Sequence, residues 1–195
     1  MKKLALVLVS ATAVLTMSLA IDKALGLQLD TDHSSVTFKV PMMGGISHFS
    51  GSFNKFKADI HYDPQNIGAS TLVATIDPNS VYTGAEARDH EMRAKAFFDV
   101  KEYPEIKFVS NKVERKGKGF AATGNLSLRG VTREVTIPFK LLGVSKDPQG
   151  NPTYGFEGSL HINRKDYGLN WQMPKTTNWL GDDVEIDLSV LAEPQ

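Results

Sequence analysis

The chain has 195 residues, 41% of them hydrophobic, with 22 basic and 22 acidic side chains and no cysteine. This length suits one domain with a sizeable core, and the zero net charge provides no basic field for nucleic acid. The lack of cysteine excludes thiol nucleophiles, cysteine-based zinc sites and covalent haem attachment.

The N-terminus has the three parts of a secretory signal peptide. Lys2 and Lys3 precede an apolar run at residues 4–15, and Ser18-Leu19-Ala20 offers a small-x-small cleavage site. The sequence therefore predicts a signal peptide over residues 1–20, a mature domain over residues 21–195 and a periplasmic location. A transmembrane anchor is the alternative, but the apolar run is short for a span, so we expect no stable membrane insertion.

Alternation with a period of two dominates the rest of the chain and indicates strands. It recurs in about eight segments, at residues 35–40, 55–62, 71–76, 106–110, 120–129, 131–141, 154–162 and 184–190. The parity changes between Phe53 and Phe56, which predicts a bend near Asn54. We predict an all-β fold, a closed eight-stranded antiparallel barrel, because closure removes the edges of long strands. A two-sheet sandwich is the alternative.

A single convincing helix interrupts the strands within residues 80–110. Thr83 or Ser80 can cap its start, with Glu86 at capping-box spacing from Thr83. Tyr103-Pro104 ends any helix before the next strand begins. A helix inserted into an all-β chain predicts a lid over a cavity.

The inward-facing parity of the strands mixes large apolar residues with small ones, such as Ala74 and Gly158. Small residues can leave volume for a ligand, although taper of a filled barrel explains them equally well. The long aromatic segment 165–181 is expected to cover the core. The predicted apolar tunnel comprises Phe38, Val40, Phe56, Ile76, Phe108, Leu126, Phe139, Phe156, Leu160, Ile162 and Trp171.

No constellation of catalytic or metal-binding residues stands out. The five histidines lack the spacing of metal ligands, and no nucleophile elbow, P-loop or dinucleotide fingerprint occurs. We therefore predict no enzymatic activity, no metal and no cofactor. Arg88-Asp89 is the best polar pair, since neighbours on a helix can both flank a cavity mouth. The alternative is an ion pair that anchors the helix to the barrel, with Arg164 as a partner.

Several motifs resemble the YceI-like family in their order and spacing. They are Asp32-His33-Ser34, Thr83-Gly84, Arg88-Asp89, Phe97-Phe98-Asp99, Tyr103-Pro104, Ile106-Lys107-Phe108, the block at residues 124–132 and the block at residues 163–169. One position departs from the family pattern Arg-Asp-x-His-Leu, because here His90 stands one place early and Glu91 takes the histidine's position.

The resemblance implies a lipocalin-like barrel that holds a polyisoprenoid, a prenyl quinone or another long-chain lipid, as a monomer or a homodimer. A fatty acid or fatty amide is a further candidate ligand. Because His90 is displaced, we predict that Arg88, Asp89 and Arg164 contact the head group. Two alternatives remain open: an enzyme that uses Asp89, Glu91 or His90 on a lipid-like substrate, and a filled barrel with a structural or partner-binding role.

Overall fold

The computed structural model describes residues 24–195, so the predicted signal peptide lies outside the described residues. Strands, short 3₁₀ turns and one α-helix make up the regular structure of residues 24–195. The strands are β1 (Leu25–Met42), β2 (Ser47–Phe53), β3 (Phe56–Tyr62), β4 (Thr71–Ile76), β5 (Val81–Tyr82), β6 (Ile106–Lys116), β7 (Gly119–Leu128), β8 (Val131–Lys146), β9 (Pro152–Asn163) and β10 (Asp183–Pro194); the helix is α1 (Glu86–Arg93).

The strands close into an antiparallel barrel. β1 pairs along one edge with β10, and the wall continues through β9, β8, β7, β6, β4 and β3. The other edge of β1 pairs with β3 over its first residues and with β2 over its last, so β2 and β3 share one position. This pairing confirms the predicted closed eight-stranded barrel. Closure leaves the long strands paired on both sides.

The predicted bend near Asn54 separates β2 from β3. Phe53 lies opposite Val36 of β1, whereas Phe56 lies opposite Ile76 of β4. The backbone N–H of Asn54 donates to the carbonyl of Ser80 over 3.2 Å. The bend thus turns the aromatic residues on both sides of it toward the interior.

The two ends of the barrel differ in construction, and the course of β1 defines them. The lower end lies where β1 begins at Leu25, and the upper end lies where it finishes at Met42. At the lower end Leu27, Tyr62, Phe156 and Ala192 form a compact buried cluster. At the upper end α1 and the segments at residues 94–105 and 164–182 cover the barrel.

The prediction for the start of the helix was wrong. α1 begins after Ala85, whose side chain makes no cap, and neither Thr83 nor Ser80 caps it. The hydroxyl of Thr83 instead donates to Asp89 over 2.5 Å, and that of Ser80 donates to the carbonyl of Asp77 over 2.6 Å. The carboxylate of Asp89 is buried one turn into the helix. A buried carboxylate needs hydrogen-bond donors, so the hydroxyl of Thr83 donates to Asp89 instead of capping the helix.

Candidate ligand-binding site

An upper cavity of about 160 Å³ lies inside the barrel next to α1. Met92 of α1 and Phe97 and Phe98 of the following segment contribute to its wall, together with residues from the strands. All of the lining side chains except Arg164 are apolar. Seven predicted tunnel residues line it: Phe38, Val40, Ile76, Phe108, Leu126, Leu160 and Ile162.

A lower cavity, also of about 160 Å³, adjoins the upper one. Four predicted tunnel residues line it: Phe56, Ile76, Phe139 and Phe156. The surface of this cavity is almost entirely apolar, although Lys57, His61, Ser70, Thr71 and Glu157 also belong to its wall. The prediction of one elongated cavity therefore corresponds to two adjoining chambers in the structure.

A band of apolar side chains lies where the two chambers meet and belongs to the walls of both. We call it the waist, and it consists of Val36, Leu72, Ala74, Ile76, Ile137 and Leu188. Of these, Val36, Leu72, Ile137 and Leu188 follow the inward parity of their strands but were not predicted as site residues. The parity alone could have identified them, since in a barrel every inward position faces the same interior.

Small residues occupy inward-facing positions of the strands for two different reasons. Ala58, Ala74 and Ala122 line the lower cavity, where larger side chains would occupy its volume. Gly158 also lines it, but a Cβ there would lie 3.1 Å from the carbonyl oxygen of Pro138. Gly124 lines neither cavity; a Cβ there would collide with the backbone carbonyl of Val109, beside a register shift in the ladder between β6 and β7. That glycine serves close backbone approach rather than ligand volume.

Arg88 and Asp89 lie on α1, and both bind Thr83. Asp89 is 5% exposed and accepts from the backbone N–H of Thr83 over 2.8 Å, in addition to the hydroxyl. Arg88 donates to the carbonyl of Thr83 over 2.7 Å, and its guanidinium lies 4.9 Å from the ring centre of Phe49. Neither residue lines the two cavities, so contact with a ligand head group stays a prediction.

Arg164 does line the upper cavity, but its guanidinium is engaged by the protein. It is 4% exposed and donates to the carbonyls of Leu169, Leu180 and Gly181 and to Asp182, the last over 2.9 Å. Burial lowers the pKa of the Arg164 guanidinium below its ordinary value, and Asp182 opposes that change. These bonds hold the two ends of the segment at residues 164–182 together, between the end of β9 and the start of β10. Arg164 pairs with Asp182 rather than with a residue of α1, so the expected alternative of an ion pair between the helix and Arg164 was wrong, and a head-group role for Arg164 stays a prediction.

Trp171 is the one predicted tunnel residue that lies outside both cavity walls. Its ring packs on Phe97, with 5.2 Å between the ring centres, and it is half-buried. Because Phe97 itself lines the upper cavity, Trp171 supports the wall from behind. A single sequence could not separate these two layers, since both positions are aromatic and near the core.

The residues of the catalytic alternative do not converge on the cavities. His90 and Glu91 are exposed on α1, and Asp89 is bound to Thr83. Between residues 24 and 195, no group of three or more histidine, aspartate and glutamate side chains is arranged to hold a metal ion. Over the same residues, no helix has the length and apolar character needed to cross a bilayer.

A closed antiparallel barrel with apolar chambers and a helical cover belongs to the class of lipocalin-like β-barrels. The model of the YceI-like domain matches residues 27–192, and the chain belongs to that family. The chain is 35% identical over 158 residues to the UPF0312 protein of Yersinia pestis (strain Pestoides F), covering 81% of this chain and 80% of that protein.

Two solved structures illustrate the similarity in fold. The crystal structure of BcnA from Burkholderia cenocepacia has a TM-score of 0.73 and 27% identity, covering 84% of this chain and 98% of that one. A polyisoprenoid binding domain from Saccharophagus degradans has a TM-score of 0.64 and 19% identity, covering 88% of this chain and 99% of that one. At that identity the second comparison shows the fold alone.

Proposed function

We propose that this protein binds an elongated apolar lipid inside the barrel and sequesters or carries it without chemical change. The observation that carries the proposal is the pair of adjoining chambers with apolar walls, joined at the waist. Removing each CH₂ from water contributes about 0.8 kcal/mol, so a chain of ten or more carbons offsets the cost of association. A polyisoprenoid or prenyl quinone fits best, because the similar barrel from Saccharophagus degradans is described as a polyisoprenoid binding domain.

The proposal also assigns the residues that surround the bound lipid. Those of the predicted tunnel that line the chambers would contact the ligand, and Trp171 would act through Phe97. An enzymatic role is disfavoured because Asp89, His90 and Glu91 do not face the chambers. Export to the periplasm after cleavage of residues 1–20 also belongs to the proposal, and an intact-mass measurement of the exported protein tests it.

The waist offers a direct test of how deeply the ligand is bound. Ala74 lies in the wall of both chambers, and Ala74→Phe places a ring between them. The matched control is Thr75→Phe, which adds the same ring to the next residue of β4, at the opposite parity. The measurement is the affinity for isoprenoid alcohols of increasing chain length, after bound lipid has been extracted and identified by mass spectrometry.

We expect Ala74→Phe to weaken binding of long chains by about tenfold or more, while chains short enough for one chamber bind nearly as before. Thr75→Phe should bind all lengths like the parent. Equal binding of every length by all three proteins would contradict the proposal, provided that thermal unfolding shows Ala74→Phe to be folded. If Ala74→Phe is unfolded, Ala74→Leu gives the same comparison with a smaller side chain.

A further inference from the structure

Two segments at the upper end of the barrel, a connection between β1 and β2 with the adjoining strand ends and a loop after β9, meet beside the upper cavity and form one surface. They are residues 42–48 and 171–179, named here the rim loops. The backbone N–H of Met43 donates to the carbonyl of Trp179 over 2.9 Å, and that of Gly44 donates to the carbonyl of Asn178 over the same distance. Gly181 donates to the carbonyl of Pro41 over 2.7 Å just behind them. The rim loops are therefore held together by backbone bonds and present their side chains jointly.

The composition of the rim loops differs sharply from that of the remaining chain. They contain both tryptophans of the protein and three of its six methionines, but none of its 22 acidic residues. Their ionisable side chains are His48 and Lys175. By contrast, the neighbouring helix α1 carries charge at five of its eight positions, even with His90 left out.

The tip of the rim loops projects into solvent with apolar side chains. Ile46 is 84% exposed and Met43 is 42% exposed, although both are large apolar residues. Positions 44 and 45 are glycines in the left-handed region, and a Cβ on either would meet nothing within 4 Å. A convex tip of this size offers little of the area that a stable protein–protein interface buries, which is about 800 Å² per partner.

We propose that the rim loops dock reversibly on the surface of a phospholipid bilayer. Tryptophan favours the boundary between head groups and acyl chains, and methionine adapts to irregular lipid packing. The single lysine and the absence of carboxylates suit an anionic or zwitterionic membrane surface. Ile46 and Met43 enter the acyl boundary, as the apolar side chains of peripheral proteins do.

The location of the rim loops connects docking to the lipid chambers. Val40 and Phe49, which flank residues 42–48 along the chain, line the upper cavity, as do Leu169 and Leu180 on either side of residues 171–179. Docking therefore holds the upper chamber against the membrane, where a long apolar ligand can transfer without crossing bulk water. The transfer step rests on the proposed lipid-binding function, whereas docking itself does not.

Intrinsic fluorescence tests docking at this surface, because both tryptophans of the chain lie in the rim loops. The protein is mixed with phosphatidylcholine vesicles and with phosphatidylcholine–phosphatidylglycerol vesicles, each carrying brominated acyl chains that quench tryptophan on contact. The test variant is Ile46→Asp. The matched control is Leu142→Asp. Leu142 is 59% exposed and lies in the second half of β8, toward the lower end of the barrel.

We expect quenching in the parent and in Leu142→Asp, and partitioning about tenfold weaker in Ile46→Asp. Residues 1–23 are common to all three proteins, so they do not account for a difference. No quenching of the parent by either vesicle would overturn the proposal, as would equal quenching of Ile46→Asp and Leu142→Asp. A dimer that Ile46→Asp dissociates, seen by sedimentation without quenching, would assign the rim loops to a second copy instead.

A separate measurement distinguishes this proposal from the proposed function. Uptake of a fluorescent polyene fatty acid from solution, without vesicles, reports on the chambers alone. Ile46→Asp should take up this probe like the parent, because Ile46 lines neither cavity. Quenching by vesicles without any uptake of long-chain probes would refute the lipid-binding function and leave docking intact.

Discussion

The two ends of the barrel are closed by different physical means. At the lower end, side chains of the strands themselves fill the opening: the ring of Tyr62 lies 6.0 Å from that of Tyr154 and 5.5 Å from that of Phe156. Leu27 and Ala192 are completely buried beside them. At the upper end, the cover consists of segments that belong to no strand of the barrel.

Arginines hold the upper cover by donating to backbone carbonyls. Arg93 donates to Asn79 and Val81, and Arg129 donates to Lys95 and Phe97. Arg164 does the same for the segment at residues 164–182. Irregular backbone leaves carbonyls without ladder partners, and a guanidinium with five donors satisfies several of them at once. The lower end thus depends on the burial of apolar side chains, and the upper end depends on hydrogen bonds from a few arginine side chains to backbone carbonyls.

This comparison predicts that losing Arg164, the one fully buried arginine of the three, is more damaging than losing one apolar contact at the lower end. Arg164→Ala should lower the free energy of unfolding by about 3–5 kcal/mol, because it leaves buried carbonyls without their donor and Asp182 with Lys165 as its remaining partner. Urea denaturation measures the change. Arg164→Lys is the control that keeps the positive charge but not the planar set of N–H donors of the guanidinium. It should recover only part of the lost free energy of unfolding. A cost below about 1 kcal/mol for Arg164→Ala would show that the cover does not depend on this residue.

At the lower end, Leu27→Ala should cost about 2–4 kcal/mol through the cavity that it leaves. Leu27 is 0% exposed and lines neither chamber, so uptake of long-chain lipid should not change once the protein is folded. Leu142→Ala, at an exposed position, is the control and should change stability by less than about 0.5 kcal/mol. A marked loss of lipid uptake in Leu27→Ala would mean that the lower cluster shapes the chambers.

Arg129→Ala should have a local effect on the upper cover. Loss of its bonds to Lys95 and Phe97 should cost about 1–2 kcal/mol and open the segment at residues 94–105. Amide hydrogen exchange should accelerate in that segment and stay unchanged in β9. Arg115→Ala is the control, since Arg115 lies on an aromatic ring at the surface and donates to no carbonyl of the cover. Uniform acceleration throughout the barrel would contradict a locally opening cover.

Alkaline pH should weaken both ends slightly through one buried tyrosine at each. Burial raises the pKa of Tyr62 at the lower end and of Tyr167 at the upper end above the ordinary value of 10.0. Since the unfolded chain ionises first, the stability from each neutral phenol is complete below pH 10 and is lost as pH rises through the folded pKa. Tyr62→Phe and Tyr167→Phe should each flatten the fall of unfolding free energy above pH 10.

The exposed Tyr82 supplies the matched control for this measurement, since Tyr82→Phe makes the same substitution at a residue that is 56% exposed. If both buried variants kept the parent's slope, the tyrosines would not be responsible for any alkaline loss. A change in only one of them would show that the two ends differ in how firmly they exclude water.

Local alternation predicted the strands well because each strand needs only its own residues to define its two faces. The inward positions Phe38, Phe108 and Ile162 could be identified in this way, and so could the bend at Asn54. Gly130 lies in the tight turn between β7 and β8 and adopts φ 74°, a backbone conformation that glycine favours. All of these features rest on neighbours in sequence.

The cover and its fastenings could not be predicted by the same reasoning. Arg129 reaches Phe97 across 32 residues, and Gly124 faces the carbonyl of Val109 on the adjacent strand. The capping prediction failed because Asp89, within the helix, competed successfully for the hydroxyl of Thr83. Trp171 was predicted to line the tunnel, because a sequence does not distinguish an aromatic residue that lines a cavity from one that packs behind the lining.

The sequence by itself determined the eight strand positions of the barrel wall, their inward faces and the apolar character of the interior, because side-chain alternation and burial are properties of each strand. The short strands β2 and β5 were not among the predicted segments. Tertiary structure alone decided the division of the interior at the waist and the use of arginines to fasten the cover. It also brought the two rim loops together as one surface. Each of these depends on pairings between distant residues, and those are set by the closure of the barrel rather than by any local pattern.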